Sequence, residues 1–202
     1  MSGLETLKLH GLIDQNILKM ISHFEGVKHL CLSGGDIQHT EIHVLQKLRL
    51  LESLTLTNLT ITDDHFVQIC KLTRLKQIGV KFVDGFTNKS MEGLTNLINL
   101  SRIDLSDTLL VNDTGIQYLQ NLSNMTIILV HGLSITDESL YVISQLEKIK
   151  ELDLSCCQKI TVTGLRQLHK LKHLEKVDLT GCWSIGRRRE VENAIPCARV
   201  II

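Results

Sequence analysis

Apolar positions in this 202-residue chain recur in one short phrase, apolar-x-x-apolar-x-apolar. It reads Leu4/Leu7/Leu9, Val27/Leu30/Leu32, Leu51/Leu54/Leu56, Leu75/Ile78/Val80, Leu100/Ile103/Leu105, Met125/Ile128/Val130, Ile149/Leu152/Leu154 and Leu174/Val177/Leu179. A variant, Val200-Ile201-Ile202, closes the series, and the middle positions lie 23–25 residues apart. Nine occurrences at that spacing mark a repeat array. The last two apolar residues of each phrase sit two apart, the period of a strand with one face buried. About ten residues later the step becomes three. Ile42/Leu45/Leu48, Phe66/Ile69/Leu72, Met91/Leu94/Leu97, Ile116/Leu119/Leu122, Leu140/Ile143/Leu146 and Leu165/Leu168/Leu171 form the apolar stripes of short helices. Capping residues precede them at Thr62-Asp63, Asn112-Asp113, Thr136-Asp137 and Thr161. Each unit therefore predicts strand, turn and short helix. One unit cannot bury its own leucines, so neighbours must stack. The expected architecture is an α/β solenoid, one domain over residues 1–202 with about eight repeats, a curved parallel sheet inside and helices outside.

Two units carry a more specific phrase: Leu152-Asp-Leu-Ser-Cys-Cys157, continuing to Ile160-Thr161 and Gly164-Leu165, then Val177-Asp-Leu-Thr-Gly-Cys182. Ile61-Thr-Asp63 recurs as Ile135-Thr-Asp137. Over essentially its whole length the chain resembles the leucine-rich-repeat family. These units are similar to the cysteine-containing subtype of F-box substrate receptors and antagonist-of-mitotic-exit-like proteins. The resemblance implies a non-enzymatic scaffold with a link to ubiquitin-ligase substrate recognition. The sequence also departs from that subtype. The cysteine position holds Leu12, Gly35, Leu59, Val83, Thr108 and Leu133 in the first six repeats, and no F-box precedes the first strand. An uncapped first strand would expose backbone and core leucines, so an N-terminal edge contact with another chain or domain is expected. Ala194-Ile195-Pro196 and Ala198–Ile202 resemble the closing strand of such arrays.

If the leucines point inward, the alternating residues line the concave face. The mid-strand ladder reads Lys8, Cys31, Thr55, Gly79, Asp104, Leu129, Asp153, Asp178. Its second half is acidic, and Asp153 and Asp178 are adjacent like charges that a cationic partner would relieve. The expected partner surface is Arg102, Asp104, Leu129, His131, Glu151, Asp153, Ser155, Lys176 and Asp178. Ile127, Leu129 and Leu133 break the polar pattern. They read either as an apolar anchor or as a slipped register that buries Ile127 or Leu129.

Composition narrows the function classes. Acidic and basic residues balance at 22 each, and the one dense basic run is Arg187-Arg188-Arg189, which argues against phosphate-driven nucleic-acid binding. The six cysteines form no C-x-x-C pair, and no signal peptide or apolar spanning stretch is visible, so an intracellular, reducing setting is expected and no membrane. Asn58, Asn88, Asn112, Asn121 and Asn124 head N-x-S/T triplets that would stay unmodified there. His39/His43 and His169/His173 have the i, i+4 spacing of two ligands on one helix face, but no third ligand is close in sequence and no metal is expected. Cys31 with His29 is the one thiol–imidazole pair on the concave face, without an orienting carboxylate; no catalysis and no cofactor are expected. Trp183, the only tryptophan, is expected to cover the C-terminal core, the alternative being a second contact patch beside Arg187-Arg188-Arg189. The leading reading is an adaptor or scaffold that binds a protein through its concave face. The alternative is a structural subunit of a larger assembly, of mitochondrial or axonemal type.

Overall fold

A computed structural model describes residues 3–202. Nine strands form one parallel sheet in chain order. They are β1 (Thr6–His10), β2 (His29–Asp36), β3 (Ser53–Thr60), β4 (Gln77–Lys81), β5 (Arg102–Asp104), β6 (Ile127–Leu129), β7 (Glu151–Asp153), β8 (Lys176–Asp178) and β9 (Arg199–Ile201). The register pairs Leu7, Leu30, Leu54, Ile78, Ile103, Ile128, Leu152, Val177 and Val200 in one continuous row. That row is the set of middle apolar positions of the sequence phrase. From Leu30 to Val177 it is buried, while Leu7 and Leu9 of β1 are only partly so.

The returning segments are α1 (Gln15–Ile21), α2 (Asp63–Ile69), α3 (Asn88–Glu92), α4 (Asp113–Ile116), α5 (Asp137–Ile143), α6 (Val162–Leu165) and α7 (Arg188–Ala194). Several continue as, or are replaced by, 3₁₀ turns: Ile42–Lys47, Gly93–Asn96, Gln117–Leu119 and Arg166–Lys170. A stripe stepping strictly by three suits this winding, because residues i and i+3 eclipse in a 3₁₀ helix. Phe66 and Phe86 fill the layer between repeats three and four edge to face, with ring centroids 4.7 Å apart.

Helix starts explain the recurring Thr-Asp phrase. Asp14, Thr62, Thr87, Asn112, Thr136 and Thr161 each accept a hydrogen bond from a backbone N–H in their own first turn. The next residue reaches across to the following repeat. Asp63 accepts from the Thr87 N–H and hydroxyl and from Ser90. Asn88 and Asn112 exchange bonds. Asp113 accepts from Thr136 and Ser139, and Asp137 from Thr161. A polar ladder thus stitches five helix starts together. The Ser90 and Thr87 donors hold the Asp63 carboxyl below its usual range despite the opposing effect of its burial. Room for the ladder requires a small residue opposite each rung: a Cβ on Gly164 would lie 2.2 Å from Asp137 Oδ1, and one on Gly115 2.6 Å from Asn88 Oδ1.

Cys157 and Cys182 sit just past their strands, where Sγ donates to the Val130 and Leu154 carbonyls of the preceding repeat at 3.2 and 3.0 Å. Burial pushes their thiols up to about 12 and about 11. Leu133 occupies the same position one repeat earlier and is buried. It is therefore core and not part of a concave anchor. Trp183 also departs from expectation: it is 84% exposed, and Cys182 and Ile185 close the core beneath it. Leu109, at the equivalent place after β5, points out as well.

Candidate functional site

Parallel pairing places Lys8, Cys31, Thr55, Gly79, Asp104, Leu129, Asp153, Asp178 and Ile201 side by side across the concave sheet. Beside them runs Thr6, His29, Ser53, Gln77, Arg102, Ile127, Glu151, Lys176, Arg199. Ile128 is buried, while Ile127 and Leu129 are half-exposed on the concave side. The register does not slip.

The charges of this face divide into those the fold uses and those it leaves free. Asp104 is buried, pairs with Lys81 Nζ at 2.7 Å, and accepts from Ser106 Oγ at 2.7 Å. Glu151 pairs with Lys176 Nζ at 2.5 Å, and that contact raises the lysine above its ordinary range. Asp153 accepts from the Ser155 N–H at 2.9 Å and from its hydroxyl, and Asp178 from the Thr180 N–H at 2.9 Å. These are Asx turns, in which an Asp accepts from the backbone two residues on. They end β5, β7 and β8 and give the Asp-Leu-Ser/Thr phrase a structural cause. Asp104 and Ser155, expected to meet a partner, are instead buried and occupied by these internal bonds. Asp153 and Asp178 differ from Asp104. Among the described residues neither has an ion pair, and each spends only one carboxylate oxygen on its turn.

His131 lies over the Asp153 turn, with Nδ1 2.7 Å from Ser155 Oγ and Nε2 3.8 Å from Asp107 Oδ1. The surface therefore joins two half-exposed aliphatic side chains, Ile127 and Leu129, to an ion pair, two free carboxylate edges and an imidazole. A depression of about 400 Å³ opens at its lower edge between Ile127, Glu151 and Lys176, with Lys150 and Glu175 on the far side. Arg102, the remaining predicted residue, borders a second hollow of about 270 Å³ over Gly79, where the ladder lacks a side chain. The glycine in the mid-strand row was the sequence signal for that hollow.

The other sequence candidates do not assemble. His39 lies in a turn and His43 in a 3₁₀ segment, while His169 lies within another such segment and His173 beyond it, so neither pair shares an α-helical face. All six cysteines are free, and the Cys31 thiol has no hydrogen-bond partner among the described residues. No helix among the described residues is long and apolar enough to cross a membrane.

No family model matches the chain. It is 30% identical over 156 residues to the "Putative adenylate cyclase regulatory protein" of Trypanosoma equiperdum, covering 77% of this chain and 24% of that protein. It is 27% identical over 169 residues to a "Putative RNA-binding protein" of Caenorhabditis elegans, covering 78% and 21% respectively. The chain thus spans less than a quarter of the length of these relatives. Among solved structures, an internalin of Listeria monocytogenes superposes with a TM-score of 0.70 at 18% identity, over 99% of this chain and 61% of that one. A leucine-rich-repeat protein of Leptospira interrogans superposes with a TM-score of 0.55 at 15% identity, over 100% and 61%. With nine parallel strands in sequence order, a polar ladder at the helix starts and these structural neighbours, the chain folds as a leucine-rich-repeat solenoid.

Proposed function

We propose that this protein is an interaction module that binds a protein partner through the C-terminal half of its concave sheet, without catalysis of its own. The observation that carries the reading is the pairing of Ile127 and Leu129 with the free carboxylate edges of Asp153 and Asp178 on one rigid face. An aliphatic centre ringed by charge is the anatomy of a protein interface. Its complement is a segment with an apolar anchor and a neighbouring basic residue. The concave rows contain no Phe, Tyr or Trp on which a base could stack, which favours protein over RNA. A preformed solenoid also binds without the entropic penalty of ordering itself. In its finer form the reading makes the chain an adaptor in an intracellular, reducing setting. A connection to ubiquitin-ligase substrate recognition rests on the Cys157 and Cys182 repeats alone.

The test is affinity capture from the native cell with wild type and with Asp153→Arg/Asp178→Arg, both checked by circular dichroism for an unchanged fold. A specific partner held by wild type and lost by the variant supports the reading. One large complex retained equally by both contradicts it and favours a structural subunit, such as one of a mitochondrial or axonemal assembly.

A further inference from the structure

We infer a second docking surface, separate from the concave face: a basic rim on repeats two and three that takes an acidic peptide segment. Two depressions, of about 590 and 200 Å³, adjoin where the returning helices lead back into β3 and β4, and they share Gln46 and Arg49. Together they are lined by four cations, Lys47, Arg49, Lys71 and Arg74, against one carboxylate, Glu25. The chain as a whole balances 22 basic against 22 acidic residues, so this is a local segregation of charge.

None of the four cations makes an ion pair within 4.0 Å among the described residues, whereas nearby Lys28 and Lys76 are paired with Glu5 and Glu52. The fold does not need cations here. Where repeat three carries Arg74, the next two repeats carry Asn99 and Asn124, whose amides donate to the backbone carbonyls of Thr73 and Ile98 at 3.3 and 3.0 Å. Arg74 makes no such bond among the described residues. Lys71 reaches only Gln68 Oε1, at 2.7 Å. Two arginine forks and two ammonium groups, none of them in a close ion pair, with Glu25 the one carboxylate at the depressions and Glu52 acting on Arg74 only at longer range, form a receptor for carboxylates, which a guanidinium engages in pairs. Neither depression is lined by Phe, Tyr or Trp, and His43 is the one ring at the larger of them, so the stacking surface is small and the geometry points to an acidic polypeptide over RNA. Beneath the smaller depression lie buried Leu48, Leu51 and Leu72, which hold the rim in place.

The test uses the intact chain and fluorescence anisotropy with two probes: a fluorescein-labelled peptide alternating Glu and Ser, and a labelled oligouridine of equal charge. The expected result is peptide binding that weakens with salt and falls about tenfold or more in Arg49→Glu/Arg74→Glu. It stays unchanged in Lys148→Glu/Lys172→Glu at the far end of the same rim, and it is read on the free chain with a defined peptide, so its outcome is independent of the concave-face reading. If the first variant fails to fold by circular dichroism, the milder Lys47→Gln/Lys71→Gln decides, with a loss expected. The inference is overturned by absent peptide binding, by an equal loss in the far-end variant, or by oligouridine binding as tight as the peptide.

Discussion

Gly164→Ala should destabilise the protein, although helix propensity alone says the opposite. Gly164 lies inside α6, where alanine is ordinarily better by about 0.5–1 kcal/mol. An added Cβ, however, would lie 2.2 Å from Asp137 Oδ1 and 2.4 Å from its Cγ. That carboxylate cannot swing aside freely, because it accepts from the Thr161 N–H at 2.8 Å and from the Thr161 hydroxyl at 2.6 Å. Displacing it sacrifices both bonds, each about 1.5 kcal/mol for a charged acceptor at the lower end of the range. After the helix gain the net loss is about 2 kcal/mol, or about 4–8 °C in Tm for a chain of this size. Urea unfolding of wild type, Asp137→Ala, Gly164→Ala and the double variant measures it. With Asp137→Ala in place, the two hydrogen bonds are already gone but a contact between two Cβ atoms at 2.9 Å remains, so the Gly164→Ala penalty should shrink without vanishing. Stabilisation by Gly164→Ala in the wild type, or an equal penalty in both backgrounds, would refute the ladder.

Three further outcomes follow from the same geometry. Lys81→Met should cost about 1–3 kcal/mol in urea unfolding by stranding the buried Asp104 carboxylate, and adding Asp104→Asn should restore part of it. Phe82 is a half-exposed residue held at φ 49°, so Phe82→Gly should be neutral or stabilising by about 0.5 kcal/mol, whereas Phe66→Ala, in the core, should cost about 3 kcal/mol or more. Cys70 and Cys157 have thiols pushed up to about 12 by burial, while the unfolded thiols ionise near their ordinary value. The unfolded state then loses protons first, so their contribution is fully present below about pH 8.5 and declines toward pH 12 by about 1.4 kcal/mol per pH unit for each thiol. A Tm series from pH 8 to 10.5 checks the sign, and below pH 8.5 iodoacetamide should label exposed Cys197 well before Cys70, Cys157 or Cys182.

The register of the sheet was legible because strand period is two and each phrase offers only one face that can be buried. The inward row from Leu30 to Val177 follows from that alone. The kind of helix was less legible, since a stripe stepping by three fits α and 3₁₀ winding about equally over one turn. For Trp183, place in the repeat outweighs residue type. The position after buried Cys182 faces solvent, as Leu109 does after β5. Leu133 is core for the same positional reason, since it stands where Cys157 and Cys182 stand. The acidic ladder is partly structural, because Asp-Leu-Ser and Asp-Leu-Thr spell Asx turns. Only one oxygen each of Asp153 and Asp178 is left over. The Lys176–Glu151 pair follows from the repeat register, which sets the two side by side, whereas the Lys81–Asp104 pair joins residues offset by two along neighbouring strands and has no such signal.

The central claim, that a protein partner sits on the C-terminal half of the concave sheet, is tested most directly by lysine labelling of the complex with whatever protein wild type captures. The account predicts protection of Lys176, with labelling unchanged at Lys89 in α3 on the helical side and at Lys172 in the turn before β8. Protection confined to the helical side, with Lys176 as reactive as in the free chain, would contradict it.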